Sequence, residues 1–191
     1  MAIALLLMMA AHFWESKPPA DWTEKDIDIL LSDSPWSQTV PAAATAPAAI
    51  VYLATAEPMR IAEKEMRRRY VKAGAAIDEM HEEYELFLRE NQGKAIVVAV
   101  SLSESKIALE GEEIKRMEQD CVLKIGRRKL KLSGHFPPSR TDPYLRLVFP
   151  RDVRPEDKEL NFELYVPGLS SPFRQARFVL KQMQFQGKAE Y

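Results

Sequence analysis

The sequence predicts an α+β fold, in which a helical hairpin packs on a mostly antiparallel sheet, preceded by a short N-terminal helix and a linker. Two patterns carry this prediction. Helical periods fall mostly in the first half of the chain, whereas alternating or continuous apolar runs fall mostly in the second half. The 191 residues are 46% hydrophobic and 29% charged, which is the composition of an ordinary globular protein with a core of its own.

Shifts in composition divide the chain into four parts. Residues 1–12 begin with an apolar run, and residues 13–40 contain all three tryptophans. Residues 41–48 are uncharged and consist mostly of Ala and Pro, so they are predicted to be a linker. Residues 49–191 contain most of the periodic segments and are predicted to form the α+β domain.

The first part has features of an export leader. The uncharged run from Ile3 to Ala11 is nine residues long. That length matches the apolar region of a signal peptide and is far below the about 20 residues that a membrane-spanning helix needs. No Lys or Arg precedes the run, which departs from the usual signal peptide. We expect a periplasmic or secreted bacterial protein without a transmembrane span, with a cytoplasmic protein and a buried N-terminal helix as the alternative.

The second part is defined by its tryptophans, which are Trp14, Trp22 and Trp36. The residues Thr23–Asp26 have the form of a helix N-cap box, so a short helix is predicted from Glu24 to Leu31, with Pro35 just beyond its end. Three indole rings are more aromatic surface than one short helix can bury. The rings are therefore expected to cover the α+β domain, or else to form a docking surface for an envelope protein or a glycan.

Two adjacent helices of opposite charge predict the hairpin. The first has Pro58 in its first turn and is basic, with the run Arg67–Arg69 near its end. The second spans about Ala76 to Glu90 and is acidic outside its apolar face, which predicts that His81 faces solvent. Attraction between the two flanks argues against a nucleic-acid surface at the basic run, and so does the net charge of −1.

Apolar runs predict the strands. The run Ala95–Val100 is continuous and rich in β-branched residues, which is typical of a strand buried on both faces, whereas Leu160–Val166 alternates. Gly126-Arg127 is predicted to turn the chain between two short strands, and His135–Pro138 is predicted to be a loop. Further strands are predicted at Ile50–Leu53, Leu145–Phe149 and Arg177–Leu180, and a short helix at Glu112–Asp120.

No motif in the sequence indicates a metal site, a cofactor site or a catalytic nucleophile. The three histidines, His12, His81 and His135, do not lie at metal-ligand spacing. The chain has no glycine-rich phosphate loop and no G-x-S-x-G elbow. Cys121 is the only cysteine, and its apolar spacing predicts a buried thiol rather than a nucleophile.

Carboxylates and one polar loop remain as candidates for chemistry. Glu112-Glu113 or Asp152 with Glu156-Asp157 could serve as acid and base, although a solvated surface is the simpler interpretation. The loop Ser139–Asp142 is a candidate polar binding spot, and a turn anchored by Asp142 is the simpler interpretation.

Several patches of the chain resemble a family of uncharacterised exported bacterial proteins. The patches are Phe13–Pro18, Trp22–Asp26, Leu31–Trp36, Ala56–Ala62, Phe149–Arg151, Glu156–Phe162 and Phe178–Lys188. In that family the tryptophan segment follows a signal peptide and precedes a low-complexity linker. The resemblance implies export and the same chain organisation, and it implies no catalytic residue.

These observations predict an exported, non-catalytic binding or structural protein of the cell envelope. Its docking surface would be formed by Trp14, Trp22 and Trp36, and its partner would be an envelope protein or a glycan. The alternative is a hydrolase-like enzyme that uses two carboxylates in a cleft between the helical hairpin and the sheet.

Overall fold

The computed structural model describes residues 12–41, 48–74, 76, 79–101, 111–139, 141–169 and 171–191. The apolar run of the predicted leader and residues 42–47 of the predicted linker lie outside the described residues. The described residues form helices and mostly antiparallel sheets, which confirms the predicted α+β class.

The helices of the described residues are α1 (Phe13–Ser16), α2 (Glu24–Ser32), α3 (Glu57–Lys72), α4 (Glu79–Glu90) and α5 (Gly111–Asp120). Helix α2 begins where the sequence predicts, because Thr23 and Asp26 form a capping box. The Thr23 hydroxyl accepts from the Asp26 amide at 3.0 Å, and the Asp26 carboxylate accepts from the Thr23 amide at 2.9 Å. In the part of the chain described here, no helix has both the length and the apolar content that a membrane crossing requires.

The strands are β1 (Ser37–Val40), β2 (Ala49–Leu53), β3 (Ala95–Ser101), β4 (Val122–Ile125), β5 (Arg128–Lys131), β6 (Gly134–Phe136), β7 (Tyr144–Pro150), β8 (Glu159–Tyr165), β9 (Phe173–Val179), β10 (Gln184–Phe185) and β11 (Lys188–Ala189). One sheet has the strand order β1-β2-β3-β7-β6 and a second has the order β5-β4-β8-β9, while β10 and β11 form a hairpin. All of these pairings are antiparallel.

The two larger sheets share one hydrophobic core. Phe149 of β7 packs edge-on against Phe162 of β8, with 5.4 Å between the ring centroids. Phe162 in turn packs against Phe178 of β9 at 5.9 Å. In the first sheet, β3 is buried along Ala95–Val100, as its continuous apolar run predicts. The strand β3 and the aromatic contacts therefore form the centre of the fold.

Two strands differ from the prediction. Strand β1 lies in the tryptophan-rich segment, and Val40 pairs with Ala49 of β2, so residues 41–48 connect two neighbouring strands of one sheet. Strand β6 lies where the sequence predicts a loop, because Gly134–Phe136 pairs with β7 over only three residues. Pro137 follows at once, and proline cannot donate to a strand ladder. Both strands are too short and too polar to produce a clear periodic signal.

The predicted helical hairpin is formed by α3 and α4. An ion pair of 3.2 Å between Arg67 and Glu85 joins the two helices, as their opposite charges predict. The prediction for His81 is wrong, because its side chain is buried rather than solvent-facing. It lies on the same face of α4 as Tyr84 and Leu88, at helical spacing, and this face is turned towards the core.

Candidate functional site

The three tryptophans lie in the core, and Trp14, Trp22 and Trp36 are only 7%, 2% and 0% exposed. The Trp36 indole donates to the carbonyl of Glu190 at 2.7 Å, and the Trp22 indole donates to the carbonyl of Lys17 at 3.1 Å. Trp14 packs edge-on against Trp36, with 5.9 Å between the centroids. The rings therefore cover their own chain, and they present no exposed docking surface.

The carboxylates that the sequence offered for acid/base work lie at or near the surface: Glu112, Glu113, Asp152, Glu156 and Asp157. Glu113 accepts a hydrogen bond from the Tyr165 hydroxyl at 2.9 Å. Asp152 and Asp157 both bind Arg128, and the hydrogen bond from Arg128 lowers the pKa of Asp152. These contacts tie surface segments together, as an ordinary structural role requires.

Cys121 is a buried thiol, as predicted. Its Sγ accepts a hydrogen bond from the Tyr165 amide at 3.2 Å. Burial raises the pKa of the thiol to about 12, so the sulfur stays protonated at neutral pH and is a poor nucleophile.

The structure brings together a different set of side chains, centred on Arg146 of β7. The Arg146 guanidinium is only 3% exposed and binds two carboxylates at once. Its Nη2 lies 3.0 Å from Oε1 of Glu63 on α3, and its Nη1 lies 2.7 Å from Oδ2 of Asp142. We refer to Arg146, Glu63, Asp142 and His81 as the Arg146 cluster. An arginine between two carboxylates is the arrangement that makes burial of these charges tolerable.

Tyrosines surround the guanidinium. The Arg146 Cζ lies 4.3 Å from the ring centroid of Tyr84 and 5.4 Å from that of Tyr144, both cation–π distances. The Tyr52 hydroxyl donates to Oε1 of Glu63 at 2.5 Å. Burial raises the pKa of Tyr52 well above its ordinary value and the pKa of Tyr144 to about 12, so both phenols remain protonated hydrogen-bond donors.

His81 completes the cluster from α4. Its Nδ1 lies 3.6 Å from Oδ2 of Asp142, and its Nε2 lies 3.5 Å from Oε1 of Glu85. Burial alone would raise the pKa of Asp142, but the proximity of His81 and the charge of Arg146 outweigh burial and lower the pKa. Asp142 is therefore ionised at neutral pH.

The loop before β7 positions Asp142. Its amide donates to the Ser139 hydroxyl at 3.1 Å, and the Ser139 amide donates to the Asp142 carbonyl at 2.7 Å. These bonds hold Ser139 and Asp142 together, and residue 140 between them lies outside the described residues. This arrangement leaves the Asp142 carboxylate free to reach Arg146, four residues further along the chain.

A cavity of about 360 Å³ lies over the Arg146 cluster, between the helical hairpin and the loop that leads into β7. All four residues of the cluster line it. Its other walls are more apolar and consist mainly of Met66, Tyr70, Val71, Pro143 and Tyr144, with Arg67 also in contact. This volume lies at the lower end of the range for small-molecule sites.

The site has a charged, polar floor beneath apolar walls. Arg146 faces Glu63 and Asp142, while Arg67 is paired with Glu85. Among the described residues, no group of three or more His, Cys, Asp or Glu is arranged to hold a metal ion. The donors and acceptors on the floor are suited to hydrogen bonding with a small organic molecule.

Sequence reasoning missed Arg146, Glu63 and Tyr52. One signal was available, because Arg146 interrupts the apolar run of a predicted core strand. A buried arginine needs carboxylate partners, and that requirement points to a polar site near the strand. The partners themselves could not be read from the sequence, since Glu63 lies 83 positions away.

Comparisons with protein-family models, with curated proteins and with solved structures find no match to this chain.

Proposed function

We propose that this protein binds a small organic ligand, without converting it, in the cavity over the Arg146 cluster. The observation that carries the proposal is the burial of Arg146, Glu63 and His81 directly beneath that cavity. Buried ion pairs seldom stabilise a fold more than apolar residues of the same size would. A charged floor under a cavity is better explained by recognition of a ligand than by stability.

The protonation of the site favours binding over the hydrolase-like alternative. Glycoside hydrolysis by two carboxylates needs one of them as a proton donor, with a raised pKa. The pKa of Asp142 is lowered instead, because His81 and Arg146 outweigh the effect of burial. Glu63 already accepts hydrogen bonds from Tyr52 and Arg146.

One observation keeps the enzyme as a second candidate. Glu63 and Asp142 bind the same guanidinium and line the same cavity, between the helical hairpin and β7. A catalytic role predicts turnover that disappears in Asp142→Asn. Turnover of a bound ligand by the wild-type protein, absent from that variant, would replace the binding proposal with an enzymatic one.

The proposed location is the periplasm or the exterior of the cell. The apolar run Ile3–Ala11 and the resemblance to exported bacterial proteins support it. N-terminal sequencing of the protein from fractionated cells tests it. A mature chain that begins after the apolar run supports export, whereas an intact Met1 in the cytoplasmic fraction contradicts it.

A thermal-shift screen of the full chain against a diverse library of small metabolites tests the binding proposal. A ligand at about 100 times its Kd adds about 2.7 kcal/mol of stability, which raises the Tm of a protein of this size by about 5–10 °C. We expect at least one compound to produce such a shift.

A pair of tryptophan substitutions then locates the binding site. Val71 lines the cavity and is 44% exposed, so Val71→Trp places an indole in it. Leu86 on α4 is similarly exposed, at 47%, and does not line the cavity, so Leu86→Trp is the matched control. The ligand-induced shift should disappear in Val71→Trp and persist in Leu86→Trp. A shift that both variants retain would place the ligand elsewhere and contradict the proposal.

A further inference from the structure

We propose, on the basis of the binding function above, that the ligand is a small organic cation with a quaternary ammonium group, such as choline, held between the Tyr70 ring and the carboxylates of Glu63 and Asp142. Three properties of the cavity support this class of ligand: the excess of negative charge on its floor, the hydrogen bonds that its carboxylates already accept, and its aromatic and apolar wall.

The floor of the cavity has more negative than positive charge. The side chains of Glu63 and Asp142 are only 4% and 12% exposed, and they share one cation, the guanidinium of Arg146. Arg67 also lines the cavity, but it is bound to Glu85, so this pair adds no net charge. Among the described residues of the lining, two carboxylates therefore face one guanidinium. The low-dielectric walls strengthen the field of the excess charge, which attracts a cation and repels an anion.

His81 is the further member of the Arg146 cluster that can compensate this excess. Its ring nitrogens lie 3.6 Å from Asp142 and 3.5 Å from Glu85, and it adds a positive charge only when it is protonated. The other charged groups that line the cavity with it are Glu63 and Arg67 of α3 and Arg146 of β7. A cationic ligand and a proton on His81 would compensate the same charge, so the ligand is best tested at about pH 8, where histidine side chains are ordinarily neutral.

The hydrogen bonds on the floor favour a quaternary over a primary ammonium group. Glu63 accepts from the Tyr52 hydroxyl and from Arg146, and Asp142 accepts from Arg146. A primary ammonium brings several N–H donors that lose water on entering the cavity and each require an acceptor there. A quaternary ammonium has no N–H group, so the charge of the floor attracts it without a further carboxylate lone pair.

The aromatic and apolar wall suits the methyl groups of such a cation. Tyr70 lines the cavity and is 56% exposed, so a ligand can reach the face of its ring. Tyr144 lines the same cavity, and its ring centroid already lies 5.4 Å from the Arg146 Cζ, a cation–π distance. Aromatic rings attract quaternary ammonium groups by the same interaction. Met66 and Val71 extend the apolar lining. The volume of about 360 Å³ suits an ammonium group with a short chain.

Calorimetric titration of the full chain at about pH 8 tests the inference. The probes are choline, tetramethylammonium, ethanolamine and dimethylbutanol, which keeps the shape of choline but has a carbon in place of the charged nitrogen. Choline should bind at least about tenfold more tightly than dimethylbutanol and ethanolamine. Equal or tighter binding of dimethylbutanol or ethanolamine, or no binding by either quaternary ammonium probe, would overturn the inference.

A second arm identifies the source of the quaternary ammonium group, which occurs in free molecules and in lipid headgroups. The full chain is sedimented with phosphatidylcholine vesicles, with and without free choline. Sedimentation with the vesicles that free choline abolishes indicates a lipid headgroup. Choline binding without such sedimentation indicates a free cation. Both results support the ligand class.

Two leucine variants of equal exposure test the aromatic contact. Tyr70→Leu keeps an apolar side chain but removes the ring, and Phe173→Leu removes a ring that is also 56% exposed but lies against another cavity. Choline affinity should fall about three- to tenfold in Tyr70→Leu and stay unchanged in Phe173→Leu. Equal affinity in the two variants would contradict the proposed contact.

Two amide variants test the charge. Asp142→Asn removes the excess negative charge from the floor, and Glu118→Gln removes an exposed carboxylate on α5. Choline affinity should fall at least about tenfold in Asp142→Asn and stay unchanged in Glu118→Gln. Full affinity in Asp142→Asn would contradict the inference, and Tyr70→Leu remains decisive if Asp142→Asn does not fold. If no quaternary ammonium binds but another ligand loses binding in Val71→Trp, only the ligand class fails and the binding function stands.

Discussion

The tryptophan-rich segment and the Arg146 cluster are both buried, but they are buried for different physical reasons. In the first region, apolar rings leave water and their indole N–H groups find backbone carbonyls, as between Trp36 and Glu190. In the second, charges leave water beside a cavity, where Arg146 is held between two carboxylates. Burial of the rings is explained by the stability of the fold. Burial of the charges is not, and for that reason we assign function to the second region.

The largest expected effect concerns the first region. Trp36→Ala removes a fully buried ring that contacts Trp14, Phe185 and Glu190. We expect the free energy of unfolding to fall by about 3–5 kcal/mol, since the lost burial and the new cavity both destabilise. Urea unfolding followed by fluorescence measures it. Ligand affinity of the folded protein should stay unchanged, and a fall in affinity equal to that of Val71→Trp would remove the distinction between the regions.

The second prediction concerns the cluster itself. Arg146→Met leaves the buried Glu63 and the partly buried Asp142 without their common partner. We therefore expect the free energy of unfolding, measured with urea, to fall by about 3 kcal/mol. The triple variant Glu63→Met, Asp142→Asn and Arg146→Met removes the charges together and should recover most of that loss, while ligand binding stays absent. Recovery of stability without recovery of binding would show that the charges serve the ligand. A triple variant that stays as unstable as Arg146→Met would assign them to the fold instead.

The smallest expected effect concerns Glu65, which links α3 to the tryptophan-rich segment. Its carboxylate binds Arg68 and Arg69 at 2.8 Å, and Arg69 also donates to the carbonyl of Trp22. The hydrogen bond from Arg68 is the main cause that lowers the pKa of Glu65 from 4.5 to about 2. Glu65→Gln should lower the free energy of unfolding by about 1–2 kcal/mol at about pH 7, since Arg68 is largely exposed and solvent screens the pair.

The loss of stability in Glu65→Gln depends on pH because the pKa of Glu65 is lowered in the folded state. Above 4.5 the carboxylate is ionised in the folded and unfolded states, and its full contribution to stability is present. As the pH falls from 4.5 towards 2, the unfolded state takes up the proton first, so this contribution is lost. The difference between wild type and Glu65→Gln should therefore shrink across this window. A difference that stays constant would mean that the folded-state pKa of Glu65 is ordinary.

The two regions also differ in how well the sequence predicts them. The cap at Thr23 and Asp26 was predictable because both partners lie within one helical turn. The buried strand β3 was predictable because its apolar run is continuous. The cluster was not, because Arg146 meets Glu63 only through the pairing of strands and the position of α3, which no local pattern encodes. The prediction for His81 failed for a different reason: its acidic neighbours indicated an exposed position, although its spacing to Tyr84 and Leu88 places it on the buried face of α4.

Methyl NMR on methionine gives the most direct test of the claim that the cavity over the Arg146 cluster binds the ligand. Among the eight methionines, Met66 lines the cavity, whereas Met183 is fully buried and does not line it. Titration of the full chain with a compound from the screen should shift the Met66 methyl resonance in a saturable way and leave the Met183 resonance unchanged. A ligand that saturates the protein while the Met66 resonance stays in place would contradict the account.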